Sequence, residues 1–148
     1  MTYKDTVFLP KTSLPTKASK DIEQAILDAW VMHDAYRNVR RDTKGSRGVF
    51  TMLDGPPYAN GNIHIGHALN KILKDITVRA HSMADYEAEF RPGWDCHGLP
   101  IEWKVEEQWR KEKRDKNAEP EAFKQACREY ANTWVEEQKA QFQRLEVS

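Results

Sequence analysis

Apolar residues recur along this chain with two different periods, and the changes between them mark out its elements. Ile22, Ile26, Ala29, Trp30, His33 and Tyr36 return every three or four residues, the spacing that puts side chains on one face of an α-helix. With Ser19 or Asp21 as cap, the stripe predicts one helix from Asp21 to about Asn38. The twenty residues before it are rich in Thr, Lys, Pro and Ser, with Pro10 and Pro15, and show neither period, so they read as an extended lead-in. Gly48-Val49-Phe50-Thr51-Met52-Leu53 is a short apolar run with β-branched and aromatic members, which predicts a buried strand. Two prolines and two glycines in Asp54 to Asn62 then forbid helix and ladder alike.

The helical period returns with Ile65, Leu69, Ile72, Ile76 and Ala80, a stripe that predicts a helix from Ile65 to Ser82 and leaves Lys71, Lys74 and Asp75 off its apolar face. Lysines so placed read as solvated. Tyr86, Ala88 and Phe90 alternate until Pro92-Gly93 and predict a second strand over Tyr86 to Arg91. Strand, loop, helix, strand is a βαβ unit, whose crossover makes the strands parallel, and the fold class is α/β. Ile101, Val105 and Trp109 predict a helix over Pro100 to Lys113; Phe123, Cys127, Tyr130, Trp134 and Leu145 predict a long last one opened by Pro120. Trp30, Trp103, Trp109 and Trp134 all fall on helical stripes and read as core or contact residues.

Composition narrows the picture. The chain has 148 residues, the size of one ordinary domain, and its 23 basic residues equal its 23 acidic ones, so no global field advertises a nucleic-acid partner. Cys96 and Cys127 form no CxxC pair, and no secretory segment or long apolar run is present, which points to a cytoplasmic protein with reduced thiols and no membrane partner. His64, His67, Cys96, His97 and Cys127 match no common zinc spacing, so no metal held by the protein is expected.

The chemistry concentrates between Gly55 and His67, at the carboxyl end of the first strand and the amino end of the helix after it, where open α/β sheets bind ligands. A helix start offers unpaired N–H groups and partial positive charge to a polyphosphate. His64 and His67 lie three apart there, and Gly66 between them removes a side chain, which lets a flat base or a phosphate come close. Read alone, two such histidines could equally be ordinary polar residues of a helix start, and Asp95 could be a cap for the helix near Pro100.

His64-Ile65-Gly66-His67 is the signature of the class I aminoacyl-tRNA synthetases. Pro56-Pro57-Tyr58-Ala59-Asn60-Gly61 before it, Leu69-Asn70-Lys71-Ile72-Leu73-Lys74-Asp75 after it and the block from Gly93 to Glu102 resemble the isoleucyl branch, and the likeness runs from Lys4 to Leu145. The resemblance implies the first half of a Rossmann-like, parallel-sheet, nucleotide-binding catalytic domain with flanking helices: residues 48–148 within it, residues 1–47 packing on it as lead-in and helix. It implies that His64 and His67 contact the ATP phosphates and stabilise charge developing at the α-phosphate, and that adenine stacks on Gly66. It implies that Gly55, Pro56 and Asp95 line the amino-acid pocket, Asp95 pairing with the substrate ammonium and Trp94 supporting that wall. The substrates implied are isoleucine, ATP with Mg2+, and a cognate tRNA(Ile) met mainly through other domains. The family's second signature, a lysine loop that clamps the phosphates, does not occur in these residues, nor does the editing insertion, and Glu146 stands where glycine is expected. The chain is therefore expected to be the amino-terminal part of a synthetase, to partner the remainder of that chain, and to catalyse little alone. The competing expectation is a non-catalytic remnant that binds a nucleotide or a partner domain.

Overall fold

The computed structural model of the chain describes residues 3–8, 11–13, 15–17 and 19–147. Pro10 and part of the rest of the lead-in lie outside the described residues. They divide into two compact units, Met1–Ala35 and Tyr36–Ser148.

In the first unit a single 3-10 turn, Tyr3–Thr6, precedes α1, Lys20–Met32. Ser19 takes the N-cap position in extended backbone but makes no side-chain cap bond. The single predicted helix is in fact two: α1 ends at Met32 with His33 as its cap, Asp34 adopts a left-handed φ of 48°, and α2, Ala35–Asp42, which belongs to the second unit from Tyr36 on, follows. Asp is among the few residues that tolerate this conformation, so the stripe of apolar residues runs through a break that its spacing does not register.

The second unit holds the predicted βαβ arrangement in a short form. β1, Val49–Thr51, pairs in parallel with β2, Glu87–Glu89, in the register Val49↔Glu87, Phe50↔Ala88, Thr51↔Glu89, and α3, Ile65–Met83, is the crossover. The structure is thus a mixture of helices and a small two-stranded parallel sheet among the described residues. The first strand is not buried as predicted: Val49 is 72% exposed and Leu53 82%, because only one neighbour pairs with it. α4, Leu99–Lys111, and α5, Pro120–Arg144, complete the unit, with Ile101, Val105 and Trp109 buried as their spacing predicts. Trp109 is buried and Trp134 packs on the core, whereas Trp103 and Trp30 are exposed, so of the two alternatives, core or contact residue, these two do not take the first.

Two clusters form the interior. Ala59, Ile101 and Ala131 make one, with Trp94, Tyr130 and Trp134 against them; Val78, Ala88 and Phe90 make the other, with Phe50, Met52 and Val147. α3 turns an unexpected face to this interior. Its buried residues are Lys71, Asp75 and Val78, while Ile65 is 85% exposed and Leu69 and Ile76 also face outward. The helix is oriented by ion pairs rather than by its apolar stripe, as the site shows.

Three helices end alike. After α3, α4 and α5, residues Asp85, Lys113 and Glu146 take φ values of 64°, 59° and 60°. The next amide in each case bonds five residues back, Tyr86 to His81, Arg114 to Trp109 and Val147 to Phe142, which is the Schellman arrangement. Glu146, where glycine is expected from the sequence, occupies the left-handed position for which glycine is best suited.

Candidate functional site

His64 closes the amino end of α3 with its own ring. In extended backbone, it turns Nδ1 onto the amides of Gly66, 3.0 Å away, and His67, 3.4 Å away, so both amides donate to the imidazole. Nδ1 must carry a lone pair to accept them, which places the proton of the neutral ring on Nε2. The helix start is therefore capped rather than bare, a correction to the expectation of free amides. Gly66 makes this geometry possible: a Cβ built on it would lie 2.9 Å from His64 Cε1 and 3.0 Å from Nδ1. The missing side chain makes room for His64.

The rings of His64 and His67 stack, with centroids 3.8 Å apart and planes 20° from parallel. Nδ1 of His67 is buried with no hydrogen-bond partner among the described residues. Burial first, then the electrostatic influence of His64 and of the Lys71 ammonium, hold the His67 imidazole below its ordinary value of 6.5, so its neutral form dominates at physiological pH.

One turn further along α3, Lys71 is 2% exposed and its ammonium is bonded to Asp54 at the mouth of β1; Lys74 Nζ reaches the other carboxylate oxygen at 2.8 Å. Lys71 also lies 5.5 Å from the Phe90 ring centroid. Burial pushes the Asp54 carboxyl up, but the hydrogen bonds and charges of the two lysines outweigh it and hold the group below its ordinary 3.8. The solvated reading of these lysines fails for this reason. A buried carboxylate at the strand end draws both cations inward and rotates α3 with them.

The loop between β1 and α3 is joined to the segment after β2. Tyr58 and Asp95 form an isolated parallel bridge, with Ala59 N donating to Asp95 O at 2.9 Å and Asp95 N to Pro57 O at 2.8 Å. Gly93 lies beside Pro56, a Cβ built on it falling 4.0 Å from Pro56 Cβ. Pro56 and the segment from Gly93 to Asp95 are thus brought together by the backbone, whereas a Cβ built on Gly55 has no neighbour within 4 Å. Asp95 is not a helix cap: Gly98 takes the N-cap position of α4 without a side-chain cap bond, and the Asp95 carboxylate accepts instead from His97 N at 3.4 Å.

The residues that hold this loop come mostly from α5, which the sequence reading left out of the site. Gln138 Nε2 donates to Tyr58 O and Gly61 O, at 3.0 and 2.7 Å, and its Oε1 accepts from Trp94 Nε1 at 3.0 Å. Gln141 accepts from Ile63 N and donates to Asn62 Oδ1; Tyr130 donates to Asn60 Oδ1, and Asn60 in turn to Pro100 O. A signal was present: Gln138 continues the apolar series Cys127, Tyr130, Trp134 by four, a polar residue at a core position. An open depression of ≈ 460 Å³ adjoins the loop on its α5 side, lined by Asn62, Ile63, Gln141 and Arg144, and includes none of the expected site residues. Among the described residues no three His, Cys, Asp or Glu side chains are grouped to hold a metal, and no helix is long and apolar enough to cross a membrane.

A family model described as tRNA synthetases class I (I, L, M and V) matches residues 25–148. An isoleucine–tRNA ligase of Zymomonas mobilis is 53% identical over 98% of this chain and 16% of its own length. Those of Gluconobacter oxydans and Pelagibacter ubique are each 51% identical, over 98% and 97% of the chain. The chain spans about 15–16% of the length of these relatives.

Proposed function

The chain belongs to the class I tRNA synthetases, and on that premise we propose that it is the amino-terminal part of an isoleucine–tRNA ligase that binds ATP and isoleucine, forms isoleucyl-adenylate and then charges tRNA(Ile). Residues 48–148 are read as the first half of a Rossmann-like catalytic domain before the editing insertion, with residues 1–47 as its amino-terminal lead-in and helices. The parallel pairing of β1 and β2 through α3 supports that reading.

The stacked pair His64 and His67 on the amino end of a 19-residue helix carries the proposal. The reaction is attack by the isoleucine carboxylate on the α-phosphorus of ATP. A new P–O bond forms, the bond to the pyrophosphate oxygen breaks, and charge grows on the α-phosphoryl oxygens. Such a transfer needs positioned charge and dipoles rather than a protein nucleophile. His64 Nε2–H is a donor free of the cap bond made by Nδ1, and the partial positive charge of the helix start lies behind it. His67, with an unpaired Nδ1 beside it, offers a second imidazole to the phosphates, and adenine lies over Gly66. Asp95, tethered by its backbone to Pro57 and Ala59, pairs with the isoleucine ammonium, and Gly55 and Pro56 line the same pocket. Mg2+ enters with ATP and neutralises its phosphates. Isoleucine, ATP, tRNA(Ile) and the remainder of the synthetase chain are the partners. Both cysteines are free, which suits the reducing cytoplasm to which we assign the protein.

Isoleucine-dependent exchange of labelled pyrophosphate into ATP, measured on the synthetase carrying these residues, tests the reading. Exchange that falls by at least about a hundredfold in His67→Ala is the expected result, the scale of losing one transition-state donor. ATP binding with no isoleucine-dependent exchange identifies the competing non-catalytic remnant instead.

A further inference from the structure

Gln138 is fully buried, with no exposure at all, on a helix face otherwise made of Ala131, Tyr130 and Trp134. A glutamine there loses its hydration, and an apolar side chain of the same shape serves packing at least as well. Its amide is nonetheless fully committed. An indole N–H can only donate, so the oxygen of Gln138 must face Trp94, and both amide hydrogens are then directed at the carbonyls of Tyr58 and Gly61. One side chain thereby joins the loop that leads into His64 to the residue beside Asp95, across sequence separations of 80, 77 and 44 residues. The backbone bridge between Tyr58 and Asp95 fixes the alignment of the two segments, while the rotation of the Trp94 side chain depends on Gln138.

We infer that Gln138 is a positioning residue that ties the nucleotide side of the site to its amino-acid side, so that a ligand at His64 and His67 is felt at Trp94 and, through it, next to Asp95. This rests on the reading above, in which the loop receives ATP and Asp95 receives the amino acid. Neighbouring Gln141, bonded to Ile63 N and to Asn62, steadies the loop but makes no bond to the Trp94 side and lacks the second role.

The synthetase carrying these residues, labelled with nitrogen-15 at its tryptophan, alanine, glycine and histidine residues, tests the inference in two arms. Without ligand, Gln138→Met retains the side-chain volume and removes all three bonds. Hydrogen exchange at Trp94 Nε1 and at the Ala59 amide is then expected to accelerate together by about tenfold, the scale of one lost hydrogen bond, while α4 amides are unchanged. Faster exchange at Trp94 alone, or at neither, overturns the tie. Should the methionine variant not fold, Trp94→Phe cuts the same link from the other side and is expected to quicken exchange at Ala59. In the second arm, Mg·ATP is expected to shift the Gly66 and His67 amide resonances and the Trp94 indole resonance of the unaltered chain. In Gln138→Met the first two shifts remain and the third is lost; an undiminished Trp94 shift in the variant overturns the coupling. If ATP moves neither Gly66 nor His67, the nucleotide reading fails, and the exchange arm still decides whether Gln138 joins the two segments.

Discussion

A charged residue, not an apolar one, sets the orientation of the helix that bears the candidate histidines. Lys71 lies almost wholly inside, bonded to Asp54, and Lys74 shares the same carboxylate. Replacing Lys71 with Met leaves a buried carboxylate with one cation instead of two, and the expected loss is about 3 kcal/mol, the lower end for a broken buried pair because Lys74 remains. Urea unfolding measures it, and Asp54→Asn in the same background is expected to recover part of the loss. The pH dependence has a definite sign. Asp54 titrates lower in the fold than its ordinary 3.8, so its contribution is complete above that value and is lost as the pH falls through the folded one. His67 also titrates below its ordinary 6.5, so the fold weakens as the pH falls from there. Stability is therefore expected to decline in two stages on acidification, the first setting in below pH 6.5 and the second below pH 3.8, and His67→Asn removes the first stage only. A decline that begins only below pH 4 in the unaltered chain contradicts this account of His67.

At the level of elements, periodicity located most helices well and their surroundings poorly. α3 begins where its apolar stripe begins, α5 begins where Pro120 places it, and Ile101, Val105 and Trp109 are buried as spaced. The apolar stripe of α3 was legible as a stripe but not as an outward one, because the force that turns it comes from Asp54, in another element. The signature histidines could be read directly; the cap bond of His64 could not, since it depends on a ring rotamer, and Gln138 and Gln141 act on a loop some 80 residues away. The break at Asp34 was hidden for a local reason: a single left-handed residue leaves the three-to-four spacing almost intact. Left-handed residues at three other helix ends offer a direct test. Glu146→Gly removes the Cβ from a φ of 60° and keeps the backbone carbonyl that accepts from Arg79, so stabilisation by about 1 kcal/mol is expected, read as a rise in melting temperature. No gain, or a loss, shows that the last turn of α5 does not hold the Schellman geometry in solution.

For the whole molecule, the exposed faces matter most. Ile65, Leu69, Leu73 and Ile76 stand outward on α3, and Val49 in β1 and Leu53 just after it are exposed. Contiguous apolar surface and an unpaired strand edge favour association, so the isolated chain is expected to sediment as concentration-dependent oligomers and to bind a hydrophobic dye. A dye-free monomer with a sharp, cooperative melt contradicts this. The other large-scale feature is the distance in sequence between the site loop and its latch. Gln138 and Gln141 reach residues 77 to 80 positions earlier. During synthesis at roughly 5–20 residues per second, the segment around Tyr58 leaves the ribosome about 4–16 s before the side chains that secure it. Over that interval the signature loop has no restraint from α5, and the nascent polypeptide secures that loop only when this helix arrives.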